Sequence, residues 1–152
     1  MRLVVNLPTY NEEDTIEKAI NNVLAQAKNL KNIDLHVLVA DSHSPDKTGQ
    51  IVKKMSAKNP RVHYLDVKER GLGVGIVKGH RFAIDRLKAD ILAQMDADLS
   101  HDPSTLPKMV KLIEEGYDLV NGNRHNRKDN AIIKLYSNTA RWFLRRFLRS
   151  PF

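Results

Sequence analysis

Five short apolar runs alternate with stretches in which apolar residues recur every three or four positions. The runs cover residues 3–7, 33–40, 61–67, 91–95 and 118–120, and each predicts a short buried β-strand. Pro8 closes the first run. Asn11-Glu12-Glu13-Asp14 then opens a helix in which Ile16, Ala19, Ile20, Val23, Leu24 and Ala27 repeat at helical spacing. The early acids suit the positive end of its dipole. Further helices are predicted over 47–58, 76–87, 103–115 (ended by Gly116) and 130–148. Strands alternating with helices predict an α/β fold, a three-layer sandwich around a mostly parallel central sheet. In such sheets a ligand lies outside the carboxyl ends of the strands. The unusual residues gather there: Pro8-Thr9-Tyr10-Asn11-Glu12, then 41–46, 96–101 and 122–124.

Composition narrows the class. A chain of 152 residues suits one domain with a real hydrophobic core. The absence of cysteine excludes disulfides and thiolate metal sites, and suits a reducing compartment. The apolar start is too short for a signal peptide, and no run approaches the roughly 20 apolar residues of a spanning helix. A soluble or peripheral, cytoplasmic protein is expected.

The net charge of +7 is concentrated near the end, where eight Lys or Arg from Arg124 onward face a single acid, Asp129. The predicted last helix carries Ile132, Leu135, Tyr136, Ala140, Phe143, Leu144, Phe147 and Leu148 at three- and four-residue steps, with Trp142 among basic positions. That pattern fits a helix lying on an anionic membrane surface, and equally a helix packed on its own domain with arginines in water. The expected organisation is a core over 1–129 and a basic amphipathic helix over 130–152. Nucleic acid is not expected as a partner, because the crevice is acidic.

The candidate chemistry centres on Asp96-Ala97-Asp98, which follows the fourth strand. Side chains two apart on an extended chain point the same way. Two such carboxylates can hold a hard divalent cation that keeps several waters and takes substrate phosphates, so Mg²⁺ or Mn²⁺ is expected rather than Zn²⁺. The bland alternative is a solvated acidic turn. Asp41 ends the second strand and is expected to accept hydrogen bonds from a ribose or base, whereas Asp46 is expected to cap the following helix. Tyr10 can pack on a nucleobase and Glu12 can reach it, or Asn11 simply caps a helix. Gly71-Leu72-Gly73-Val74-Gly75 resembles a phosphate cradle but lacks the Lys-Ser/Thr ending of a triphosphate loop. Lys68, Arg70 and Lys78 add positive charge beside it. Arg124 can fork onto a phosphate, or sit on the surface. His101 is read as a structural histidine first and a ligand second.

Together these stretches resemble the family 2 glycosyltransferases, and within them the polyprenyl-phosphate (dolichol-phosphate) mannose synthases. The matching segments are Pro8 to Glu12, Asp41 to Asp46, Gly71-Leu72-Gly73, Met95-Asp96-Ala97-Asp98-Leu99-Ser100-His101-Asp102-Pro103, and Gly122-Asn123-Arg124. The resemblance implies a GT-A fold and an inverting, metal-dependent transfer of mannose from GDP-mannose to a polyprenyl phosphate. It implies that Pro8, Tyr10, Glu12, Asp41, Lys68, Gly71, Asp96 and Ala97 bind the donor. It assigns the metal to Asp96, Asp98 and Ser100, the acceptor phosphate to Arg124 and Ser137, and the catalytic roles to Asp98 and Arg124. It also implies peripheral contact with the cytoplasmic face of a membrane.

Three features depart from the family pattern. Ser42 stands where a second Asp is usual, and Gly-Asn-Arg-His replaces Gly-Ser-Arg-Tyr at 122–125. The family continues past the last helix with a Ser-Gly-Phe-Arg-like stretch that helps form the acceptor site, so a truncated member is expected. Two alternatives follow. One is a transferase using a UDP-sugar and a different acceptor. The other is a non-catalytic nucleotide-sugar-binding module, assisting a membrane partner subunit that supplies the missing acceptor part.

Overall fold

The computed structural model describes residues 1–122, and its compact unit is Met1–Val120. Four strands are present among them: β1 (Arg2–Thr9), β2 (Asp34–Asp41), β3 (Val62–Asp66) and β4 (Ile91–Gln94). They form one sheet in the order β3-β2-β1-β4 with every pairing parallel. The helices are α1 (Ile16–Leu24), continued by a 3₁₀ turn Ala25–Asn29, α2 (Thr48–Lys58), α3 (Leu72–Asp85) and α4 (Leu106–Glu114), which a 3₁₀ turn Pro103–Thr105 precedes.

The period-two pattern of the strands feeds two helical layers. Leu3, Val5 and Leu7 of β1 pack with Ile16 and Ile20 of α1, Val52 of α2, and Leu106 and Val110 of α4. Val4 points the other way and packs with Leu38 and Ala83 of α3. The result is the expected three-layer sandwich. Fully burying each such aliphatic side chain contributes about 1.5–3 kcal/mol. No described helix is long and apolar enough to cross a membrane.

Three expectations are corrected. The run 118–120 does not form a strand: Leu119 is 84% exposed, and burial on a sheet face is what would hold so short a segment extended. The first helix begins at Ile16, not at residues 11–14, because Asn11 takes a left-handed φ of 58° and the chain turns before the helix starts. Helix α3 begins at Leu72, four residues early, and absorbs most of the glycine-rich segment. Gly75, Gly79 and Ala83 are the buried positions of this helix, so Gly75 is a helical contact with the sheet and not part of a turn. A Cβ on Gly79 would lie 2.3 Å from Asn6 Oδ1, so the helix approaches β1 too closely there for any side chain, whereas one on Gly75 would meet Pro8 Cβ at an ordinary 3.5 Å. The predicted helix over 130–148 lies outside the described residues, as do Arg124 and Ser137.

Candidate active-site cleft

The carboxyl ends of β1, β2 and β4 surround an open cleft of about 470 Å³. From β1 and the turn after it come Pro8, Thr9, Tyr10 and Glu12; from β2, Ser42; from the start of α3, Arg70, Gly71 and Leu72; from β4, Asp96, Ala97 and Asp98.

The turns after β1 and β2 are stitched together. The Asn11 amide donates to Ser44 Oγ at 2.9 Å, the Glu12 amide to Thr48 Oγ1 at 2.9 Å, and the Glu13 amide to Asp46 Oδ2 at 3.1 Å. In return the Lys47 amide donates to Glu13 Oε2 at 2.9 Å. Asp46 Oδ1 also accepts from the Thr48 amide at 2.9 Å, the capping contact expected for it at the head of α2. Burial acts to raise the Asp46 carboxyl, but the bonds from Thr48 and Glu13 outweigh it and hold it below the usual range. Glu12 keeps its carboxylate at the cleft, with Oε2 accepting from Thr15 Oγ1 at 2.5 Å.

The acidic turn is held by local bonds. The Ser100 amide donates to Asp98 Oδ1 at 2.9 Å, and Leu99 takes a left-handed φ of 64° that bends the chain back. The Asp96 amide donates to His101 Nδ1 at 3.0 Å. A neutral His101 ring therefore carries its proton on Nε2, which faces Asp96 Oδ2 at 3.4 Å. His101 thus has the structural role read first. Asp96, Ala97 and Asp98 all line the cleft, and the chain bends at 97–99 instead of staying extended, with Ala97 2% exposed between the two acids. Asp102 caps the next turn through the Ser104 amide at 2.9 Å, and the Ser104 side-chain and amide bonds hold its carboxyl below the usual range.

Asp41 departs from the ligand role given to it. It is 1% exposed, and its oxygens are engaged inside the protein. Oδ1 accepts from Ser44 Oγ at 2.5 Å and Thr9 Oγ1 at 3.3 Å; Oδ2 accepts from the Ser44 amide at 3.2 Å and Tyr64 OH at 3.3 Å. Burial first, and then the negative charges of Asp41 and Asp66, push the Tyr64 hydroxyl up to about 12. Asp41 ties three strand ends together, and its neighbour Ser42 is the residue that meets the cleft.

The basic residues also sort differently. Lys68 is exposed and is not part of the cleft lining, and Lys78 pairs with Glu69. Arg70 is the cation in the cleft, with its guanidinium 5.2 Å from the centre of the Tyr10 ring. Its position next to Gly71, whose φ of 131° turns the chain into α3, is the sequence signal that marks it. The structure thus gathers Pro8, Tyr10, Glu12, Gly71, Asp96, Ala97 and Asp98 into one cleft, keeps Ser100 beside Asp98, and leaves Asp41 and Lys68 out of it.

Known proteins share this architecture and sequence. The chain is 31% identical over 125 residues to "Dolichol-phosphate mannosyltransferase" of Pyrococcus furiosus, covering 82% of this chain and 34% of that protein. It is 30% identical over 139 residues to "Undecaprenyl-phosphate 4-deoxy-4-formamido-L-arabinose transferase" of Photorhabdus laumondii, covering 90% of this chain and 41% of the relative. It therefore spans less than half the length of these curated relatives. Among solved structures, S. aureus TarS 1-349 in complex with UDP superposes with a TM-score of 0.52 at 24% identity, over 84% of this chain and 38% of that one, a likeness of fold. The model of the family described as "Glycosyl transferase family 2" matches residues 4–150, and the chain belongs to that family.

Proposed function

We propose that the chain is the donor-binding core of a glycosyltransferase that moves a sugar from a nucleoside diphosphate to a polyprenyl phosphate, with GDP-mannose as donor and Mg²⁺ or Mn²⁺ as cofactor. The observation that carries this reading is the placement of Asp96 and Asp98, at the end of β4, in one cleft with Tyr10 and Glu12 from the end of β1. Both curated relatives are named for a polyprenyl phosphate.

The donor set fits a hard cation. Asp96 and Asp98 stand together in the cleft, with Glu12 elsewhere on its lining, and among the described residues no cluster of three or more acids, histidines or cysteines forms an all-protein cage. Such a pair suits an ion that keeps waters and takes substrate oxygens. When bound, the ion would neutralise charge on the departing diphosphate. Tyr10 offers a ring to the base, and Glu12 an acceptor to the nucleoside.

A phosphate monoester has its second pKa near about 6 and is already anionic at neutral pH. One of its oxygens attacks the anomeric carbon from the side opposite the diphosphate. The new C–O bond forms as the bond to the diphosphate oxygen breaks, and the electron pair leaves with the nucleoside diphosphate. The configuration inverts, and no general base has to remove a proton. Arg124 and Ser137 are proposed for the acceptor phosphate, and the basic segment from Arg124 onward for contact with an anionic membrane on its cytoplasmic face.

The test is calorimetry of GDP-mannose with and without Mn²⁺, for wild type and Asp98→Ala. Binding that needs Mn²⁺ and Asp98 is expected; binding indifferent to both removes the metal-dependent reading. Transfer to a polyprenyl phosphate is then measured directly. The Photorhabdus relative is named for a different sugar, which favours a second reading with another donor. Competition between GDP and UDP for the cleft decides between them.

A further inference from the structure

Among the described residues three carboxylates line the cleft, those of Glu12, Asp96 and Asp98, against one cationic side chain, Arg70. That cation is not held by a carboxylate. Among the described residues no ion pair to Arg70 is present, and its guanidinium instead covers the Tyr10 ring at 5.2 Å. Tyr10 lines the cleft together with Arg70 and is 42% exposed as a whole residue, so the guanidinium lies over one face of its ring at the cleft wall. Lys78, on the same helix that Gly71 opens, is engaged with Glu69. The chain next to Arg70 turns through Gly71, and Arg70 is on the exposed surface. A guanidinium on an exposed ring is weakly held, whereas a guanidinium on a phosphate makes charge-assisted, forked hydrogen bonds.

We propose that Arg70 is a specificity-determining residue that keeps Tyr10 covered until a diphosphate draws it away. In the free protein the guanidinium occupies the face on which a nucleobase would stack. A ligand with both a base and a diphosphate offers Arg70 a better partner and takes the uncovered ring for its base. A nucleoside without phosphate must displace the guanidinium and offers nothing in return. One side chain thus couples recognition of the two ends of the donor. This rests on the nucleotide-sugar reading of the cleft.

The experiment is calorimetric titration of GDP and UDP, each with Mn²⁺, and of guanosine and uridine, into wild type and Arg70→Ala, with circular dichroism to check the fold. Arg70→Ala is expected to weaken the preferred nucleoside diphosphate roughly tenfold to a hundredfold, the loss of a charge-assisted bond. The matching nucleoside is expected to bind roughly two- to fivefold more tightly, because the ring is uncovered. Arg70→Lys keeps the charge without the planar fork and should recover part of the diphosphate affinity while leaving the ring more open. Equal weakening of nucleoside and diphosphate, or no change in either, overturns the coupling while leaving the nucleotide-binding cleft intact. Failure of wild type to bind any of the four ligands overturns the cleft's assignment, and this proposal with it.

Discussion

The carboxylates at the ends of β2 and β4 have opposite fates. Asp41 at the end of β2 is 1% exposed and surrounded by the donors of Thr9, Ser44 and Tyr64. Asp96 and Asp98, just past β4, open onto the cleft, with a side-chain exposure of 39% for Asp96. The strand-end position is common to both, so position alone does not make a ligand site. What differs is exposure: Asp41 is closed in by its own fold and stabilises it, while Asp96 and Asp98 line the cleft where a ligand can reach them.

That contrast can be broken by substitution. The largest functional effect is expected from Asp98→Ala, which should cost at least about tenfold in Mn²⁺-dependent donor affinity. Its thermal stability should stay within about 0.5 kcal/mol of wild type, as for other exposed positions, in a denaturant titration. Asp41→Ala should do the reverse in the same assay. It leaves four buried or half-buried donors, on three residues, without this acceptor and is expected to lose about 3 kcal/mol of stability.

Smaller changes sharpen the comparison. Tyr64→Phe removes one bond to Asp41 and should cost about 1 kcal/mol near neutral pH. It should also change the alkaline limb. The Tyr64 hydroxyl sits at about 12 in the folded protein, above its ordinary 10.0, so the unfolded chain ionises first. Stability is full below pH 10 and is lost as the pH rises toward 12, and the phenylalanine variant should flatten that window in pH-dependent melts.

The smallest effect belongs at the other end of the sheet, where His36 Nδ1 and His63 Nε2 are 2.9 Å apart. Burial, then the charges of His36 and Arg2, hold His63 below its ordinary 6.5. The unfolded chain therefore takes up a proton first, and stability falls as the pH drops below 6.5. His63→Gln should soften that acid limb without altering Mn²⁺-dependent donor binding.

Much of this was legible in the residues. The first four strands announced themselves as apolar runs between helical stretches, β1 and β2 most plainly because they are buried along nearly their whole length. The two acids after β4 line one cleft although the chain bends at 97–99 instead of alternating. The glycine-rich segment misled because glycine reads as a turn. Gly75 is instead a helical residue buried against Pro8 at the sheet, a tertiary placement invisible in local propensity, as is the close approach of Gly79, inside the predicted helix, to Asn6. The partners of Asp41 and the choice of Arg70 over Lys68 were hidden for a related cause. Whether a charged group faces a ligand depends on partners distant in sequence: Tyr64 lies 23 residues from Asp41, and Tyr10 lies 60 from Arg70.

The pairing of β1 with both β2 and β4 bears on how the protein is made. The Arg2 amide meets the Asp90 carboxylate across 88 residues of chain, so the oldest strand waits for one of the last. Synthesis at typical speeds leaves β1 with one open edge for on the order of ten seconds. Closing so long a loop is also slow in refolding. The cleft therefore cannot ripen piecemeal: its β1 wall exists early, but the acids of β4 join it only when nearly the whole described chain has emerged.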